Sequence, residues 1–230
     1  MSVQNNMLAK SNLTPKRLLR WLLITASITT VIFGLAGRWS DPWLWAYVSV
    51  FSGAGLYASV RLTDDLARER FKPAEPGADR GWLKAIRLIA LAHVVVGALD
   101  VGRWHLTSVP APLRLVGLIV MIFSVALVFR SMIVNQFFSP VVRIQRERGH
   151  KVIDVGPYGV IRHPGYAGMI PAIPASALVL GSWLGVALAV GYSLLMLRRV
   201  VFEDAFLRSH LDGYLEYASR VQYRLVPGLW

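Results

Sequence analysis

Cysteine is absent from the 230-residue chain, and charged residues are scarce. The lack of cysteine excludes disulfides, thiolate metal sites and a cysteine nucleophile. The five histidines show no metal-binding spacing such as His-Glu-x-x-His, so we expect no metal. Charged residues make up only 17% of the chain against 55% hydrophobic ones, and the mean hydropathy is +0.48. This balance is too apolar for an ordinary soluble domain and indicates an integral membrane protein.

Long charge-free runs predict an all-α fold, a polytopic membrane helical bundle of about five or six transmembrane helices. A spanning helix needs about 17 to 25 apolar residues. The predicted spans are 21–37, 42–60, the shorter 88–99, and 115–134. A further 35 residues between Arg162 and Arg198 contain no acidic residue, lysine or arginine. As one helix they would extend about 52 Å, so we expect a helical hairpin that turns at 181–183.

The positive charge of the chain is unevenly distributed along these spans. The formal net charge is +12. Six spans would place 21 of the 25 lysines and arginines on one side, from Lys10 in the N-terminal tail onward. Only Arg38, Arg103 and Arg114 would lie on the other side, and Arg130 lies within a span. The positive-inside rule therefore predicts a multi-pass protein with both termini cytoplasmic. This distribution explains the basic charge without a nucleic-acid partner.

Three other features have structural interpretations. The segment 61–81 mixes both charges with two prolines and is typical of a solvated connector. The segment Gly53-Ala54-Gly55-Leu56-Tyr57-Ala58 fits the spacing of a dinucleotide fingerprint, but it lies inside a span, which favours close helix packing through small residues. His93 and Asp100 share one helix face and are candidates for function, although bonds to neighbouring helices would also explain them.

Arg130 is the first polar candidate for a functional site, because a guanidinium inside a span must meet an anion or reach the headgroups. Asn135 follows at the same boundary. The segment 156–166, Gly-Pro-Tyr-Gly-Val-Ile-Arg-His-Pro-Gly-Tyr, is richer in turn formers and aromatics than a connection requires. Arg162 and His163 could hold an anionic group, and Tyr158 and Tyr166 offer ring faces to a flat ring or a cation.

The C-terminal region predicts an amphipathic cytoplasmic helix. From Arg198 onward, apolar residues recur at steps of three and four, with a possible break near 212–213. Glu203 falls on this apolar stripe and therefore points toward the body of the protein. Arg199 lies four residues earlier and is a possible partner for it.

Taken together, Arg130, the GPYGVIRHPGY loop, the charge-free hairpin and the helix with Arg199-x-x-x-Glu203-Asp204 resemble the isoprenylcysteine carboxyl methyltransferase family of integral membrane methyltransferases, which is related to the phospholipid N-methyltransferases. The likeness covers about residues 130–230, including the final YLEYASRVQYRLVPGLW. It implies N-terminal transmembrane helices over 1–114 and a methyltransferase core over 115–230. Asp204 departs from the usual second glutamate, and Gly159 stands where bacterial relatives often have a basic residue.

The resemblance implies S-adenosyl-L-methionine as the cofactor and a lipophilic or prenylated acceptor that enters from the bilayer. The implied cofactor-binding residues are Gly156, Pro157, Tyr158, Arg162, His163 and Tyr166. The implied catalytic residues are Arg130 and Glu203, and the implied substrate-binding residues are Arg130, Asn135 and Arg199.

The expected reaction is carboxyl O-methylation of an isoprenylcysteine-type substrate, with Arg130 orienting an acceptor that is already ionised. An amine or thiol acceptor, as in phospholipid methyltransferases, would instead need a base, for which Glu203 is the natural candidate. A non-enzymatic transporter or scaffold is the other alternative, in which Arg130, His93 and Asp100 would line a polar path.

Overall fold

The computed structural model describes residues 13–71 and 73–230, and these residues form helices, turns and loops without a β-strand. The predicted tail residue Lys10 lies outside the described residues. The eight α-helices of the described residues are α1 (Pro15–Ala36), α2 (Pro42–Arg61), α3 (Asp64–Phe71), α4 (Arg80–Leu99), α5 (Ala111–Val134), α6 (Pro164–Leu180), α7 (Trp183–His210) and α8 (Tyr214–Arg220). The prediction of an all-helical bundle is confirmed.

Six of these helices, all except α3 and α8, correspond to the six predicted spans. Within the described residues, four stretches are long and apolar enough to cross a membrane: Pro15–Ala36, Gly81–Trp104, Ala111–Val134 and Trp183–His210. Helix α6 is apolar but has 17 residues, and α2 has 20. Large apolar side chains on the outside, such as Phe123 at 72% exposed, fit a lipid environment.

The predicted hairpin is present between α6 and α7. Gly181 ends α6 with a φ of +95°, and Ser182 caps the start of α7 by accepting a hydrogen bond from the Gly185 amide. Pro171 and Pro174 lie inside α6. Pro174 cannot donate to the carbonyl of Ile170, and the Ser193 hydroxyl donates to that carbonyl instead, at 2.8 Å.

Close packing through glycine holds α5 against α6. A Cβ at Gly168 would lie 2.6 Å from the Ser124 carbonyl oxygen, and one at Gly117 would lie 2.7 Å from Leu178 Cβ. Such separations are below van der Waals contact, so only glycine fits at either position.

The end of the bundle at which α1 begins and α2 and α5 end is called the basic end below. Two predictions there need correction. The amphipathic C-terminal helix is not separate, because α7 continues from the predicted span to His210 before the break at 211–213 and α8. The segment 61–81 is not a simple solvated connector, since α3 lies in it and both Glu69 and Asp79 are buried.

Candidate active site

The predicted turn is built at the basic end, between α5 and α6. Residues Gly156–Gly159 form a 3₁₀ turn, in which Gly156 has a φ of +60° that favours glycine. The turn buries the side chain of Tyr158. The backbone carbonyl of Tyr158 accepts a hydrogen bond from the Tyr217 hydroxyl at 2.7 Å. Pro164 then begins α6, where a proline needs no backbone donor. The turn is thus packed against α8 at its tip.

Asp204 joins this turn to α7. Its carboxylate is 1% exposed and accepts hydrogen bonds from Arg162 Nε at 2.8 Å and from the Tyr214 hydroxyl at 3.1 Å. His163 Nε2 lies 3.1 Å from the same carboxylate. Arg208 and Arg224 also donate to it, at 3.0 and 3.1 Å. A buried carboxylate with this many donors fixes the relative positions of the turn, α7 and the C-terminal tail.

The C-terminal tail completes the connection by main-chain bonds. The Arg162 amide donates to the Tyr223 carbonyl, and the His163 amide donates to the Arg224 carbonyl, both at 2.9 Å. The Arg162 guanidinium also donates to the carbonyls of residues 221 and 222, at 2.7 Å each. The arginine-histidine pair therefore serves as the anchor of the tail, and the Arg162 guanidinium is engaged with Asp204 and with two tail carbonyls.

A pocket lies between the turn, the end of α5 and α7. Its empty space is about 900 Å³, including the part open to solvent. Glu203 lines it and accepts a hydrogen bond from the Tyr166 hydroxyl at 2.5 Å. The predicted residues that line the pocket are Asn135, Tyr158, Arg162, His163, Tyr166, Arg199 and Glu203. Gly156 and Pro157 are outside the lining, where they form the backbone that carries Tyr158.

Arg130 is the predicted residue that the structure separates from the others. It lies outside this pocket and is exposed on a groove between α2 and α5. Arg199 lines the pocket. The sequence suggested that it pairs with Glu203, but the structure shows no such ion pair within the described residues. Instead its Nη2 lies 2.6 Å from Asp79 Oδ2 and donates to the Pro140 carbonyl.

A basic wall of the pocket was missed by the sequence analysis. Arg143 lines it and forms a buried salt bridge with Glu69 of α3, with 2.8 Å between Nη2 and Oε2. Arg143 Nη1 and Arg199 Nε are buried and have no hydrogen-bond partner within the described residues. Each guanidinium is paired with a carboxylate through its Nη2 atom, and each retains one buried nitrogen without an acceptor in the part of the chain that the structure describes.

His150 contributes an aromatic surface to the same wall. Its ring stacks on Phe137 with 4.5 Å between centroids, and its Nδ1 accepts from the Gln145 amide at 3.2 Å. Burial, reinforced by the charges of Arg143 and Arg148, lowers the pKa of His150 to about 4. Burial also disfavours the charged form of the Tyr158 phenol, and it therefore raises the pKa of that group. Both rings are therefore neutral at neutral pH and can pack against a flat ligand.

Arg130, His93 and Asp100 do not form the polar path that a transporter would need. His93 Nε2 lies 3.0 Å from the Ser176 hydroxyl of α6. Asp100 accepts from the Ser182 hydroxyl and from the amides of residues 106 and 107. Both side chains thus bond neighbouring segments, and neither lines the groove that contains Arg130.

Comparison with known proteins relates this site to methyltransferases. Residues 113–212 match the phospholipid methyltransferase family. The chain is 30% identical over 86 residues to protein-S-isoprenylcysteine O-methyltransferase B of Arabidopsis thaliana, over 36% of this chain and 44% of that protein. It is also 30% identical over 120 residues to a probable protein-S-isoprenylcysteine O-methyltransferase of Oryza sativa subsp. indica, over 51% and 60% of the two chains.

The resemblance to the isoprenylcysteine carboxyl methyltransferase family is thereby confirmed. A third relative, protein-S-isoprenylcysteine O-methyltransferase of Schizosaccharomyces pombe, is 30% identical over 92 residues, or 38% of each chain. The matches span between 38% and 60% of these relatives' lengths. The comparisons support a methyltransferase in a membrane, and the matched region contains the turn, the hairpin and Glu203.

Proposed function

We propose that this protein is an integral membrane methyltransferase that transfers the methyl group of S-adenosyl-L-methionine to a lipophilic acceptor. The observation that carries the proposal is the pocket lined by Glu203, Arg143 and Arg199, in which Glu203 accepts a hydrogen bond from Tyr166. The family resemblance adds the reaction class. In this proposal the acceptor is a prenylated carboxylate that arrives from the bilayer.

The chemistry of the pocket residues fits the cofactor. The cofactor has a carboxylate, an ammonium group, a flat base and a positively charged sulfur. Arg143, which lines the pocket, would pair with the carboxylate, and the carboxylate of Glu203 would face the positive charge of the ammonium group or of the sulfur. The neutral rings of Tyr158 and His150 would pack against the base. When bound, the cofactor supplies an electrophilic methyl carbon and a neutral thioether as the leaving group.

Positioning is the main task left for the protein in this reaction. A carboxylate acceptor is already ionised, so no general base is required. Arg199 Nε, on the same helix face as Glu203 and beside the Tyr166 ring, would orient that carboxylate, with Asn135 at the end of α5 nearby. Holding two reactants at attack distance can lower a barrier by roughly 7 to 11 kcal/mol.

An amine acceptor is the second candidate, because the matching family is that of phospholipid methyltransferases. An amine must lose a proton during transfer, and the Glu203 carboxylate is placed in the pocket to accept it. Activity with an amine should then rise with pH through an ascending limb. Activity with a carboxylate should stay flat between about pH 6 and 9, because no base titrates.

The test uses the purified protein in lipid nanodiscs with methyl-labelled cofactor. A prenylcysteine carboxylate should yield a base-labile methyl ester, whereas phosphatidylethanolamine should yield a base-stable methylamine only if the second candidate is correct. With an amine acceptor, Glu203→Gln should lower the rate about 100-fold or more. Glu216→Gln, at an exposed position of α8, is the matched control and should leave the rate unchanged. Absence of labelled product from both acceptors would contradict the proposal.

A further inference from the structure

A second pocket of the molecule opens sideways between α2 and α5. It shares no lining residue with the candidate active site. Its walls are mostly apolar and come from the two helices: Val50, Gly53, Ala54, Ile122, Val125, Ala126, Phe129, Ile133 and Val134. The Tyr57 ring of α2 meets the Phe129 ring of α5 edge to face, with 6.1 Å between centroids. This groove has the lining expected for an acyl chain.

The basic end of the groove carries two guanidinium groups. Arg61 is the last residue of α2, and Arg130 lies about one turn before the end of α5. Both side chains are exposed, and in the part of the chain that the structure describes neither forms an ion pair or donates a hydrogen bond. Arg61 only lies over the Tyr57 ring, 5.9 Å from its centroid.

The backbone of α2 does not need Arg61. Arg17 of α1 donates to the carbonyls of Ser59 and Leu62 at the end of that helix, at 3.0 and 2.9 Å. Two of the acceptors at this helix end are therefore already satisfied by another arginine. Because a guanidinium stays charged in proteins, Arg61 and Arg130 together leave two positive charges at the end of an apolar groove.

Small residues keep the groove open. A Cβ at Gly53 would meet no atom within 4 Å, whereas one at Gly55 would lie 3.4 Å from Trp21 of α1. Of these two glycines, only Gly55 therefore serves packing between helices. Gly53 leaves space on the wall of the groove.

We propose that this groove binds one anionic phospholipid, with an acyl chain along α2 and α5 and the headgroup phosphate at Arg61 and Arg130. An amphiphile with a negative headgroup matches both features, the apolar walls and the unpaired charges. The site is separate from the pocket for methyl transfer and does not rest on the proposed function.

Native mass spectrometry of the delipidated full-length protein tests this site. The probes are phosphatidylglycerol and phosphatidylcholine with identical acyl chains. The wild type should retain phosphatidylglycerol as a one-to-one adduct in preference to phosphatidylcholine. Arg61→Ala/Arg130→Ala should weaken the phosphatidylglycerol adduct about tenfold or more, since two charges near the headgroup are lost. Arg68→Ala/Arg146→Ala removes two exposed charges of the basic end outside the groove and should leave the adduct unchanged.

A steric variant tests the acyl-chain part without altering charge. Gly53→Phe should fill the groove and weaken the adduct, while Gly191→Phe, at another open glycine on α7, should not. Equal retention of both lipids, or full retention by the Arg61 and Arg130 double variant, would overturn the proposal. Displacement of phosphatidylglycerol by a prenylcysteine carboxylate, with a raised KM for that acceptor in the double variant, would also overturn it, because the groove would then be an acceptor site.

Discussion

At the residue scale, Asp204 has the most connected side chain of the candidate site. It is buried against Arg162, His163 and Tyr214, and it ties the turn to α7 and the tail. In the sequence, this aspartate is notable only as a departure from the usual glutamate. The shorter side chain nevertheless accepts all of these donors, so the departure does not prevent the connection.

Asp204→Asn should destabilise the protein strongly. The change removes the negative charge that balances Arg162, whose side chain is 2% exposed, and leaves a buried guanidinium unpaired. Breaking a buried pair in this way costs about 3 to 5 kcal/mol. Asp212→Asn changes an exposed aspartate of the same region and serves as the control. Thermal unfolding in detergent measures both, and equal melting temperatures for Asp204→Asn and the wild type would contradict this role.

Residues of the pocket were predictable where they belong to a local motif. Tyr158, His163 and Tyr166 lie within nine residues of one another, so one turn brings them together. The basic wall was not predictable in this way. Arg143 forms its salt bridge with Glu69, which lies 74 positions earlier in the chain. Arg199 forms its salt bridge with Asp79, which lies 120 positions earlier. Pairings at such separations leave no periodic signal in the sequence.

At the element scale, the charge-free hairpin was predictable because its length exceeds the thickness of a bilayer. The turn at Gly181 and Ser182 follows from ordinary helix-ending and helix-capping preferences. Helix α3 was not predicted, because its mixed charges show no apolar face. Among its described side chains, the helix buries the apolar Leu66 and the acidic Glu69, which bonds to Arg143 and Ser139.

Gly168→Ala should weaken the contact between α5 and α6. The added methyl group would lie 2.6 Å from a backbone carbonyl of α5, which cannot move without the helix. Overpacking of this kind costs about 1 to 3 kcal/mol.

Gly191→Ala is the matched control for this change. It adds the same methyl group to α7 in open space and should be neutral or stabilising by about 0.5 to 1 kcal/mol. Unfolding in mixed detergent micelles compares the two variants. A Gly168→Ala variant as stable as Gly191→Ala would show that α5 and α6 are less tightly packed than described.

At the scale of the whole molecule, the charge distribution predicts which end of the bundle faces the cytoplasm. The absence of natural cysteine makes a direct test simple, because each introduced cysteine is unique. Glu75→Cys lies in the exposed segment between α3 and α4, and Leu106→Cys lies in the connection between α4 and α5.

A membrane-impermeant maleimide should label Leu106→Cys in intact cells. Glu75→Cys should be labelled only after the membrane has been permeabilised, because the positive-inside rule predicts that the basic end faces inward. The reverse pattern would show that the orientation is inverted. It would also place the candidate active site on the outer face.

In the function proposed here, a water-soluble methyl donor binds where the turn, α7 and the basic wall meet. Isothermal titration calorimetry of the detergent-purified protein with S-adenosylhomocysteine measures this most directly. We expect saturable binding of one molecule per chain, weakened in Arg143→Gln and unchanged in Glu216→Gln. No detectable heat of binding at millimolar ligand, from protein that remains folded, would contradict it.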